Sequence, residues 1–217
     1  ESGKILTPSE QPLHLTALGN SISTPKDGIT APVVLFETLD ELIAAPANSL
    51  KGKIAYINYR MNRDIDGNGY GPAVKARGTG AIEASKKGAV AYMMRSVSTG
   101  HHRFAHTGGS YYKEGVTKIP NVTIANPDAD QIARLIALDK DVSVNINVQT
   151  ESLGEGTGYN VIGQFNGTEN PEQYVLIGGH LDSWDLGTGA LDDGAGVALT
   201  MAAAKHISDV KRPKRSI

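Results

Sequence analysis

His180, Asp182 and Asp192 are the residues of this 217-residue chain whose types and spacing point to metal chemistry. His180 and Asp182 follow the apolar run Val175-Leu176-Ile177 and the pair Gly178-Gly179, at the end of a predicted buried strand, where open α/β sheets place their ligands. A histidine there can offer one ring nitrogen to a metal while a nearby carboxylate takes the proton on the other, and Asp182 is placed for that role. Asp192 stands at the mouth of a predicted helix, after a glycine-rich loop long enough to fold back on His180. Its two oxygens can bridge cations about 3.5–4 Å apart, the separation used by two-metal hydrolases. Taken singly, each residue has a plainer reading: an aspartate before a helix caps it, and an isolated His-x-Asp is a surface feature. For Asp193 and Asp185 those plainer readings, helix capping and loop solvation, are preferred. The metal reading rests on the combination of apolar strand, Gly-Gly, His-x-Asp, glycine loop, Asp-Asp-Gly and apolar helix.

The elements that must position these residues are legible in outline. Short strands alternate with helices between Pro32 and about Thr150, the pattern of an α/β domain. Strands are predicted at 33–36, 53–59, 89–94, 122–125 and 142–149, the last with Val142, Val144, Ile146 and Val148 facing a core. Thr38-Leu39-Asp40-Glu41 is a capping box that opens a helix through Ala44. Further helices are expected at 79–87, closed by Gly88, and at 127–138, with Pro127 at its start. Residues 151–159, with Gly154, Gly156 and Gly158, read as a linker. Beyond it, 161–165 and 174–178 read as a hairpin feeding a buried strand, and 194–207 as a helix packed on a sheet.

Composition narrows the function classes. With 21 Lys+Arg against 23 Asp+Glu there is no basic field to steer the chain onto nucleic acid or anionic lipid, so neither is an expected partner. No apolar run approaches the ~20 residues of a spanning helix, and Glu1-Ser2-Gly3-Lys4 is not a signal peptide, so the chain reads as soluble and already mature or trimmed. The absence of cysteine leaves only His and carboxylates as metal donors. Asp64-x-Asp66-x-Asn68-Gly69 imitates the start of a calcium loop, but its twelfth position is Lys75 rather than Glu. His101, His102 and His106 cluster without a carboxylate at ligand spacing and read as loop residues, and Lys211–Arg215 as a solvated turn. Asn121-Val122-Thr123 and Asn166-Gly167-Thr168 are glycosylation sequons of little weight.

The segment from Gly179 to Gly196 resembles the first metal-binding block of the M28 zinc metallopeptidases. It is most similar to their carboxypeptidase Q branch, through His180-Leu181-Asp182-Ser183-Trp184-Asp185 and Gly187-x-Gly189-Ala190-x-Asp192-Asp193-Gly194. The similarity extends through Gly80-Ala81-x-Glu83-Ala84, Gly88-Ala89, Arg95-Ser96-Val97 and Lys118-Ile119-Pro120 to Arg212-Pro213-Lys214-Arg215. The resemblance implies an α/β protein: a linker or edge of the peptidase domain at 1–19, a protease-associated (PA) cap domain at 20–150, and at 151–217 the N-proximal strand-helix part of a zinc-aminopeptidase-like domain. It implies two Zn2+ per complete site, with His180 ligating one, Asp192 bridging both, Asp182 as the catalytic-site aspartate, and a cis bond between Asp192 and Asp193. The family's Glu-Glu pair, further Asp and final His have no match within these 217 residues, so the chain reads as an incomplete fragment, inactive alone. The implied activity is hydrolysis of dipeptides or short peptides with free termini, in a secreted or periplasmic setting, with a homodimer compatible and no residue assigned to substrate binding. The alternative is a non-catalytic binding or scaffold protein that kept the cap and lost the chemistry.

Overall fold

The computed structural model describes residues 1–217 apart from Asp185 and Lys211. It divides into two units, Glu1–Leu153 and Gly154–Ile217, at the glycine-rich stretch.

Unit 1 is an α/β unit built on strands β1 (Ser2–Thr7), β2 (Gln11–Leu13), β3 (Leu15–Ala17), β4 (Ile29–Phe36), β5 (Ile54–Ile57), β6 (Ala91–Arg95), β7 (Asn121–Ile124) and β8 (Ser143–Asn147). They form one mixed sheet in the order β2-β1-β8-β4-β5-β6-β7-β3. β4 to β7 run parallel, and helices α1 (Leu39–Ala44) and α2 (Tyr70–Lys86) make the first two crossovers. Every residue of β5 and β6 is buried, as befits parallel strands covered on both faces. One face packs Tyr56, Met93, Val122 and Ile124 against Ala129 and Ile132 of α3 (Asn126–Ala137). The other packs Ile57, Tyr92 and Met94 with Leu39 and Leu42 of α1 and Ala76, Ala81 and Ala84 of α2. Half of the expected α1 capping box forms: the Glu41 N–H donates to Thr38 Oγ1 at 3.2 Å, but Glu41 Oε2 accepts from the Glu37 N–H at 2.7 Å, one residue before the cap.

The structure departs from expectation at two places in this unit, residues 1–19 and the start of helix α2. Residues 1–19, expected at the edge of the peptidase part, supply three strands of the unit 1 sheet, because Ile5 and Leu13 complete the face that Val144 and Ile146 present. Helix α2 begins at Tyr70 rather than at 79, since Pro72 falls within its first turn, where a missing N–H costs nothing. Asn121 of the first sequon lies in β7 with no exposed surface, its side chain bonded to Ser110 and Tyr112. His14, for which the sequence offers no context, donates its backbone N–H to the buried Asp128 carboxylate, which Arg103 also holds.

Unit 2 contains β9 (Asn170–Tyr174), α4 (Ala195–Val210) and β10 (Arg215–Ser216). The expected hairpin does not form: β9 pairs in parallel with β10, and residue 165 exchanges both backbone hydrogen bonds with Ile217. Val175, Leu176 and Ile177 are exposed instead of buried, and α4 has no buried residue. The physical reason is shared: neither apolar element has a second layer to pack against among the described residues of this unit.

Two tests follow from the packing of unit 1. Gly80 of α2 lies against the Tyr92 ring so closely that a Cβ there would overlap it, and Tyr92 is fixed by donating to the Ala76 carbonyl at 3.0 Å. Gly80→Ala should therefore destabilise unit 1 by roughly 1–3 kcal/mol despite its better helix propensity, read as a lower urea midpoint. Asp130 accepts from the buried Arg95 and from Arg60, the latter at 2.6 Å. Burial raises the Asp130 carboxyl pKa, but the hydrogen bonds and charges of Arg95 and Arg60 outweigh it and leave the carboxyl below its ordinary value. A depressed folded pKa contributes stability above the unfolded pKa of about 3.9 and loses it as pH falls through the folded value. Asp130→Ala should thus cost about 3 kcal/mol at pH 7, with the gap to the parent narrowing as pH falls below about 4.

Candidate functional site

The chain leaves β9 at Tyr174 and reaches His180 through irregular backbone. Gly179 permits the approach that follows: a Cβ there would stand 2.8 Å from the Val197 nitrogen and 2.9 Å from a carboxylate oxygen of Asp193. On the other side of the site, Gly189 has φ +67°, a left-handed conformation, and its Cα face is closed by Ser183. It opens a kinked turn, Ala190–Gly194, in which Asp192 (φ −117°, ψ 88°) and Asp193 (φ −132°, ψ 30°) are not helical. The peptide bond between them is cis, as the resemblance implies.

Asp193 couples the two sides. Its Oδ2 accepts the His180 backbone N–H and its Oδ1 the Gly196 N–H, both at 3.1 Å, so one carboxylate caps α4 and fixes the histidine backbone. The capping role was readable from the sequence; the brace on His180 was not, because it joins residues thirteen apart.

The three candidate residues converge. His180 Nε2 lies 2.9 Å from Asp192 Oδ1, and His180 Nδ1 lies 2.9 Å from the Asp182 backbone carbonyl and 3.2 Å from its Oδ1. The tautomer is therefore set chiefly by the Asp182 main chain, with its carboxylate as the longer second contact. The hydrogen bond to that carbonyl raises the His180 pKa, slight desolvation opposes it, and the Asp192 contact and the Asp182 and Asp193 charges raise it further. With Nδ1 donating to the Asp182 carbonyl, Nε2 and Asp192 Oδ1 face each other at hydrogen-bond distance, and the two atoms could share one cation in place of the proton between them.

One imidazole nitrogen and one carboxylate are donors zinc accepts. Their convergence fits a metal, as part of a site: among the described residues no group of three or more His, Asp or Glu stands close enough to close one. Asp182 and Asp192 are 92% and 82% exposed, so nothing within this unit shields the pair from water. His180, Asp182, Ser183, Trp184 and Asp192 line an open cleft. Asp185 lies outside the described residues. The histidines of the 101–106 loop are a separate feature, in which His102 stacks on Phe104 at 5.7 Å.

Comparison with known proteins bears on the same segment. Residues 160–217 match the model of Peptidase family M28. The chain is 37% identical to carboxypeptidase Q of Bos taurus and 36% identical to that of Homo sapiens, with 100% of this chain aligned in each case and 45% of the relative. It thus spans about half the length of the curated relatives it matches. Among solved structures, the peptidase M28 precursor from Shewanella amazonensis SB2B superposes with a TM-score of 0.96 at 50% identity, covering 100% of this chain and 49% of that one. An aminopeptidase from Aneurinibacillus sp. strain AM-1 shares the fold at a TM-score of 0.60 and 22% identity, over 99% of this chain and 47% of that one.

The Asp193 brace can be tested apart from the donors. Because both of its oxygens accept N–H groups, an amide nitrogen at either position would oppose a donor with a donor. Asp193→Asn should therefore weaken zinc binding about as much as Asp193→Ala, by roughly 10–100-fold in calorimetry, although neither variant removes a metal donor.

Proposed function

We propose that the chain, whose residues 160–217 match the model of Peptidase family M28, is part of a co-catalytic zinc exopeptidase acting on dipeptides or short peptides with free termini. The observation that carries this is the 2.9 Å approach of His180 Nε2 to Asp192 Oδ1, with Nδ1 already committed to Asp182. His180 and Asp192 would hold metal, Asp192 being the carboxylate that the two Zn2+ ions of this reading would share. When bound, such a pair supplies Lewis acidity and lowers the pKa of water at the site.

The chain's own residues act around that chemistry. Asp182 holds the Nδ1 proton, which leaves Nε2 as the nitrogen that would face a metal and orients the ring; its carboxylate adds negative charge that makes the imidazole a better donor. The Asp193 brace keeps the His180 backbone from moving away from Asp192. Residues 20–150 are read as the PA cap domain, and the setting as secreted or periplasmic. The partner is a peptide, not nucleic acid or membrane, and a homodimer is compatible with this reading.

A catalytic zinc normally takes three protein ligands plus water, and the assigned donors here are two. No assigned residue serves as the proton acceptor that hydrolysis needs. The 217 residues by themselves are therefore expected to bind zinc weakly and to cleave no dipeptide. Zinc calorimetry and a dipeptide-cleavage assay on this chain check it, and tight stoichiometric zinc with turnover would overturn the fragment reading. Asp192→Ala should abolish the residual zinc signal, whereas Asp182→Asn should leave most of it. Equal loss in both would show the roles to be misassigned, and an unchanged signal in both would favour a scaffold that kept the sequence without the chemistry.

A further inference from the structure

The cleft that contains His180 and Asp192 has four polar liners and one large apolar one, Trp184. It is the sole tryptophan of the chain and is 51% exposed. Its backbone is held on both sides: the Trp184 carbonyl accepts the Gly187 N–H at 2.9 Å, and the preceding Ser183 packs against Gly189, where a Cβ would fall 2.7 Å from the Ser183 Cβ. Trp184 is thus a large ring with only two rotatable side-chain bonds, on a fixed stretch of main chain four residues from the candidate metal donor. Such a ring offers contact area at small entropic cost, which is why tryptophan is favoured in recognition sites.

We infer that Trp184 is a specificity-determining residue: its indole is the wall against which a neutral, apolar or aromatic side chain of the peptide lies while the adjoining peptide group faces His180 and Asp192. This rests on the exopeptidase reading above and deepens it. The charge of the cleft sets the other half of the preference. In the metal-free chain Asp182 and Asp192 present exposed carboxylates beside the indole, so an acidic side chain meets like charge there and has no cationic partner among the cleft's liners except the His180 imidazole, already engaged by both aspartates. Leu181 and Leu186, both exposed, extend the apolar character of the same segment.

Because Trp184 is the only indole, its emission reports on this cleft alone. The test titrates the 217-residue chain with Phe-Gly, Leu-Gly, Gly-Gly and Glu-Gly, with fluorescence as one readout and calorimetry as the second. Phe-Gly and Leu-Gly should blue-shift the emission and bind at least tenfold more tightly than Gly-Gly, and Glu-Gly should bind no better than Gly-Gly. By calorimetry Trp184→Ala should bring all four within about twofold of one another, while Trp184→Phe should keep most of the preference. Equal binding of the four by the parent chain, no binding of any of them, or a preference that survives Trp184→Ala overturns the assignment. The peptidase reading is judged separately, by the loss of zinc in Asp192→Ala. Zinc bound through Asp192 with no side-chain discrimination removes only the role of Trp184, and discrimination with a zinc affinity that Asp192→Ala leaves unchanged removes the peptidase and leaves an apolar peptide site.

Discussion

The carboxylate of Asp193, shared between the N–H groups of His180 and Gly196, is the constraint on which the candidate site depends. Without it the segment after β9 and the start of α4 are two separate pieces of chain, and neither His180 nor Asp192 has a reason to face the other. The glycines matter for the same reason. At Gly179 any side chain would hold the strand exit away from the helix mouth, and at Gly189 the left-handed turn lets the loop double back against Ser183. The donors are two side chains, but their convergence is a property of the backbone that four or five other residues impose.

The two units solve the burial problem differently. Unit 1 closes its apolar surface with α1 and α2 on one face of the sheet and α3 on the other, and its buried charged groups Arg95 and Asp128 find partners, Arg95 in Asn58 and Asp130 and Asp128 in His14 and Arg103, while Ser49 Oγ, Arg77 Nε and Asn126 Oδ1 have none. Unit 2 leaves Leu176, Leu199 and Met201 each more than half exposed. Its local order comes from main-chain hydrogen bonds and side-chain caps rather than from a core, which is the weaker means of fixing a structure.

That difference also governs how much was readable from sequence. Inside unit 1 the apolar alternation of β8, the capping box at Thr38 and the Pro at the start of α3 were local signals, and each element formed within a few residues of its expected bounds. The strands within 1–17 escaped because Pro8 and Pro12 break their pattern and because, apart from the β1–β2 pairing, their partners lie more than a hundred residues away. In unit 2 the apolar run 175–177 looked like a buried strand by composition, but burial is a property of neighbours, and a run of three apolar residues cannot name them. At the site, residue types and spacing pointed to His180, Asp182 and Asp192. The finer geometry was beyond spacing: that the Asp182 carbonyl stands nearer the ring than its carboxylate, and that Asp193 braces the histidine, depends on torsions the kinked turn adopts.

The burial of Asn121 bears on how the chain can be produced. A eukaryotic secretory host attaches glycan to Asn-x-Thr while the chain is still unfolded, before β7 has found β6 and β3. A sugar on Asn121 would then have to occupy a position with no exposed surface, where the side chain accepts from Ser110 and donates to Tyr112 and the backbone N–H donates to Ser21, so the modified molecules would fail to close the sheet. Asn166, exposed in the other sequon, carries no such conflict. With no cysteine to oxidise, the chain gains nothing from an oxidising compartment, and a bacterial host without that glycosylation machinery is the setting in which the sheet can assemble unhindered.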